Sequence, residues 1–117
     1  MINILTEQEY TEIEKYLMTV SPSIESMKNL PDGEKIPVKK YMMFEDVKEK
    51  TGEVVEILSI LTPDNKVYSA QSATVKRSFA DIVSIMSGKT FTIIKTSGKT
   101  KAGREFINCI LDVTSIA

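Results

Sequence analysis

The stretch TVKRSFADIVSIMSGKTFTIIKTSGKTKAGREF, residues 74–106, decides the fold. Its first half places Val75, Phe79, Ile82, Val83 and Met86 at i, i+4, i+7, i+8 and i+11, one face of a helix that ends near Gly88. The period then changes. Residues 90–96 and 105–113 predict two strands of a hairpin, with Gly98 and Gly103 bracketing a basic loop between them. Upstream, Ile36, Val38, Met42 and Phe44 keep even register within residues 35–47, which predicts one long strand. Residues 48–53 read as a polar hairpin connection, and 54–61 are nearly all apolar, as a central strand should be. A turn at 62–66 and a short third strand at 67–70 complete the first half. Three strands, a helix and a hairpin, joined by connections too short for parallel crossovers, follow the order of an OB-fold. The expected fold is therefore mainly β: a five-stranded Greek-key barrel with a helix between strands 3 and 4.

An N-terminal helix is added to that barrel. Thr6 and Glu9 have the spacing of a capping box and predict a helix over 7–18, with Tyr10, Ile13, Leu17 and Val20 on its apolar stripe. Ser21-Pro22-Ser23 breaks it, and Asn29-Leu30-Pro31-Asp32-Gly33 predicts a turn before the first barrel strand. The expected division is an acidic N-terminal helix and linker at 1–26 and the OB-fold domain at 27–117.

Composition narrows the chemistry. At 117 residues the chain has length for one core, and it needs no metal or disulfide staple. Cys109 is the sole cysteine, and its alternation with Ile107, Leu111 and Val113 predicts a small buried residue. Histidine is absent, which removes the usual general base, the commonest metal ligand and every Ser-His or Cys-His nucleophile. No run is long enough to span a bilayer and no signal peptide is recognisable, so a cytoplasmic protein with no membrane contact is expected.

The formal net charge of -1 hides a division. Residues 1–26 hold five glutamates against one lysine, a net -4, which leaves 14 bases and 11 acids, a net +3, for the rest. Residues 82–104 carry Lys89, Lys95, Lys99, Lys101 and Arg104 and no acid. Glu7, Glu9, Glu12 and Glu14 stand where a helix N-terminus favours negative charge, so a solvated face explains them better than acid-base catalysis. Ser87-Gly88-Lys89-Thr90 and Ser97-Gly98-Lys99-Thr100 both spell the end of a phosphate-binding loop. Both fail the full motif, because Val83 and Ile93 stand where its first glycine is required. A helix stop and a hairpin turn account for them.

What remains is a basic stripe interleaved with aromatic residues. Single-stranded nucleic acid is held by positive charge along its backbone and by flat side chains on which bases stack. Phosphate contacts are expected from Lys89, Lys95, Lys99, Lys101 and Arg104. Phe106 has the parity opposite to Ile107 and Cys109 and should face outward beside Arg104. Tyr41 and Phe44 differ in parity, so a regular strand shows only one of them to a given face. Tyr68 is undecided by pattern, and Phe91 shares parity with Ile93 and reads as core.

Met27-Lys28-Asn29-Leu30-Pro31-Asp32-Gly33, then Val67-Tyr68-Ser69-Ala70 with Thr74-Val75, and the closing run from Phe91 through Ser97-Gly98 to Gly103 and Phe106 resemble one family. It is that of the single-stranded DNA-binding proteins of small protein-primed tailed phages, with related OB proteins on conjugative elements. The resemblance covers about residues 27–113. It implies an OB-fold that coats displaced strands during DNA replication, without cofactor or catalysis, in the host cytoplasm if the chain is phage-encoded. It also raises Tyr68 and Phe44 as stacking residues beside Phe106 and Tyr41. A family aromatic in the first hairpin loop has no counterpart in residues 48–53, and the acidic, helical N-terminus departs from the pattern. That helix is a candidate contact for replication or transfer proteins. The alternative function is a protein-interaction module of a mobile element, directed at a transfer apparatus or a host protein.

Overall fold

The structure is a computed structural model that describes residues 2–6 and 8–114. These form eight strands in two sheets and two α-helices. The long strand expected over 35–47 is two strands, β3 (Lys35–Val38) and β4 (Lys40–Val47). At Lys39 the chain leaves one sheet for the other. β3 pairs antiparallel with β7 (Phe91–Lys99), while β4 pairs with β5 (Val54–Leu61). β5 continues to β6 (Val67–Ala70), and β7 to β8 (Glu105–Leu111). The smaller sheet thus runs β3-β7-β8. The two sheets do not close on one another, so a five-stranded barrel is not formed as such.

Helix α2 (Ala73–Met86) lies between β6 and β7 in the chain, as its period predicts. Ser72 caps it by accepting a hydrogen bond from the Val75 amide at 3.3 Å. Val75, Phe79, Ile82 and Met86 are buried against Ile36, Leu58, Ile60 and Ile93, the main core. Cys109 belongs to the same core, where burial pushes its thiol up to about 11 and leaves it inert. Val113, expected inward, is exposed because β8 ends at Leu111.

The N-terminal segment differs most from expectation. Ile2–Ile4 forms β1, paired antiparallel with β4, and the Leu5 amide donates to the Met43 carbonyl at 2.7 Å. The residues between this strand and the helix are tied to the start of β4: the Tyr41 amide donates to Gln8 Oε1 at 3.3 Å and the Lys40 ammonium to the Glu9 carbonyl at 2.9 Å. Helix α1 (Glu12–Thr19) begins later, at a second capping box in which Thr11 and Glu14 each satisfy the other's backbone amide. Glu7, the expected first residue, lies outside the described residues. The buried face differs from expectation as well. Leu17 and Met18 face β5, whereas Ile13 and Val20 are 72% and 58% exposed. Glu14 shares the covered side, its carboxylate held by the Lys40 ammonium at 2.8 Å and kept below the usual carboxylate range chiefly by that bond.

Met18 sits with Met42, Phe44, Leu61 and Val67 in a second core on the opposite face of the larger sheet. The Ser59 hydroxyl, buried beneath it, donates to the Met18 carbonyl at 2.5 Å. A two-residue strand, β2 (Glu25–Ser26), then pairs in parallel with β6 and completes the larger sheet in the order β1-β4-β5-β6-β2. The two edges of this sheet, β1 and β2, thus both come from the stretch before residue 27.

Candidate nucleic-acid interface

A groove of about 910 Å3 opens where the two sheets fail to meet. One wall comes from the edge strand β2 and the 3-10 turn Met27–Asn29 that follows it, together with the end of β6 and the cap of α2. It presents Ser26, Lys28, Asn29, Ser69, Gln71 and Ser72. The other wall is β7 and the edge strand β8, presenting Lys95, Ser97, Gly98, Lys99, Glu105 and Phe106. Three of the groove's four charges are cationic, and Phe106 is its one aromatic ring. Such a surface can hold an extended anion: cations on both walls, hydroxyls and amides between them, and a ring face.

The lysines of β7 are not equivalent. Lys95 is 5% exposed, and its ammonium donates to the Leu30 carbonyl at 2.8 Å and to Asp32 Oδ1 at 3.1 Å. The Ser97 hydroxyl donates to the other oxygen of Asp32 at 2.6 Å, and these two bonds hold the Asp32 carboxyl below its usual range, the serine first. With the Gly33 amide on the Lys95 carbonyl at 2.8 Å, this network ties the 29–33 turn to β7. Lys95, expected on phosphate, is thus spent on structure, because an ammonium this buried requires partners. Lys99, four residues on, is exposed and lines the groove. Lys101 and Arg104 are exposed in the turn beyond it, closed by the Thr100 amide on the Arg104 carbonyl at 2.9 Å. Lys89 stands apart, at the other end of β7, in a hollow of about 90 Å3 with Lys39 and Tyr41.

The aromatics also separate. Phe106 is 37% exposed on the groove. Phe44 is 2% exposed in the second core, since even positions of β4 face the N-terminal segment that covers them. Tyr41, of opposite parity, packs on the main core with its ring 5.3 Å from Phe79, edge to face. Tyr68 is half-buried against the same core. Phe91 is core, as expected. Sequence reasoning missed Lys28, which lies outside the acid-free run; its signal was the turn sequence beside it. Among the described residues no group of His, Cys, Asp or Glu could hold a metal ion, and no helix is long and apolar enough to cross a membrane.

The chain belongs to the Phage Single-stranded DNA-binding protein family, whose model matches residues 3–112. It is 28% identical over 94 residues to the single-stranded DNA-binding protein of Bacillus phage phi29, covering 76% of each chain. The single-stranded DNA-binding protein of Bacillus phage PZA matches to the same extent. No solved structure matches significantly.

Proposed function

We propose that this protein binds single-stranded DNA, without catalysis, in the groove between its two sheets, and coats displaced strands during phage or mobile-element DNA replication. The observation that carries the reading is the groove itself, basic on both walls and fitted with an exposed ring, in a chain of this family. Lys28, Lys99, Lys101 and Arg104 neutralise phosphates, and Phe106 stacks a base. Tyr68 and Tyr41 support the walls from the core side, and Phe44 takes no part while the N-terminal segment covers it. The strand that crosses between sheets at Lys39 supports an OB-type architecture opened along the seam between β6 and β8. Apart from Ser26, the groove is lined by residues between 28 and 107. The exposed side of α1, with Ile13, Tyr16 and Val20 beside Glu12, favours a second role as a contact for replication or transfer proteins.

Anisotropy of a labelled oligothymidine, with a duplex of equal length as control, tests the reading. Binding should prefer the single strand and weaken with salt, with a log-log slope of about -0.7 per phosphate contact. Equal binding to the duplex, or none at low salt, would contradict it.

A further inference from the structure

Five glycines punctuate this chain, and four of them, Gly33, Gly52, Gly88 and Gly103, have positive φ in turns with open space around them. Gly98 is different. It lies inside β7, directly opposite Phe106 of β8, and its backbone conformation is one that any residue adopts. A glycine there weakens the strand, having more freedom to lose on folding and no side chain to pack. The reason for it is space. A Cβ at this position would stand 2.8 Å from Phe106 Cζ, 3.2 Å from Cε1 and 3.4 Å from Cε2. The far end of the ring lies across the backbone of β7 at the one residue that leaves room for it. Any side chain at 98 would push the ring away from this seat.

We infer that Gly98 is a positioning residue for nucleic-acid binding: by vacating the space opposite Phe106, it seats the ring across β7 at the groove wall and fixes the orientation in which a base stacks on it. The inference rests on the reading of the groove as a single-stranded DNA site. A ring already seated has less motion to lose when a base arrives, which is how preorganisation raises affinity. Lys99, next in the strand and also on the groove, keeps its charge in either case, so the consequence of filling position 98 falls on stacking rather than on phosphate contacts.

The test is a double-mutant cycle read by oligothymidine anisotropy, with thermal unfolding of each variant. Phe106→Ala should weaken binding roughly five- to hundredfold, the range of one lost stack. Gly98→Ala should weaken it by about threefold or more, and no further than Phe106→Ala, with the salt slope unchanged because no phosphate contact is lost. The double variant, in which the collision is gone, should fold as Phe106→Ala does and bind no more weakly than it. Wild-type affinity in Gly98→Ala, or a double variant that loses the product of the two single losses, would overturn the assignment while leaving the functional reading intact. Absence of binding by the wild-type protein would overturn both.

Discussion

The same four residue types, Ser-Gly-Lys-Thr, occur at 87–90 and at 97–100, at the two ends of β7, and they do different things. In the first copy Ser87 takes the left-handed conformation at φ 51°, Gly88 follows at +88°, and helix α2 stops. In the second copy Ser97, Gly98 and Lys99 are extended and paired with Ile107, Phe106 and Glu105. The first glycine is used for its conformation and the second for the space it leaves. The first lysine stands over a small hollow, and the second lines the groove. What separates them lies outside the four residues. One copy follows a helix with no strand to join, and the other is held extended by a partner strand and by Asp32, which accepts from Ser97 and from Lys95 just before it.

These bonds to Asp32 are the point at which the comparison breaks most readily. Lys95→Met would leave the Leu30 carbonyl without its donor and Asp32 without its cation. Stability should fall by about 1–3 kcal/mol, read by urea unfolding. Next in size is the first glycine. Gly88→Ala puts a Cβ on a left-handed residue and should cost about 1–2 kcal/mol of stability, read by the same unfolding curve, with oligothymidine affinity unchanged. The lysines sharpen the contrast by a smaller amount. Lys99→Ala should reduce the magnitude of the salt slope by about 0.7, and Lys89→Ala should leave it as it was. The smallest effect is that of pH. Asp32 is held below the ordinary aspartate value of 3.8 by Ser97 and Lys95, so its stabilisation is complete above that value and is lost as pH falls through the lower, folded one. Asp32→Asn should flatten this acid limb in unfolding curves collected at successive pH values.

From β4 onward the order of elements was legible because periodicity reports which face of a strand or helix is apolar; the short strands β1 and β2 have too few residues to show a period. The end of α2, the central position of β5 and the inward Cys109 follow from it directly. The crossing at Lys39 was not legible, since alternation continues unbroken through a strand that changes partners. The helix start was misplaced because Thr6-Glu9 and Thr11-Glu14 are equivalent locally, and the bonds that tie Gln8 and Glu9 to Tyr41 and Lys40 of β4 separate them. The site was half legible. Outward parity picked out Phe106 and the acid-free run picked out Lys99, both of which line the groove, while Lys101 and Arg104 of the same run stand exposed in the turn beyond it. Counting charge along the chain could not separate Lys95 from Lys99, because the partners that bury Lys95, the Leu30 carbonyl and Asp32, come from a turn more than sixty residues away. Nor could it find Lys28, which reaches the groove through the short pairing of β2 with β6.

Single-stranded DNA is proposed to lie in the opening between the two sheets. Backbone amide chemical shifts followed by NMR during titration with oligothymidine test it most directly. Changes should concentrate at residues 26–29, 69–72, 97–99 and 105–107, with Gly88, Lys89 and Thr90 at the far end of β7 unmoved. Changes centred on helix α1 or on the hollow around Lys89, with the groove silent, would contradict it.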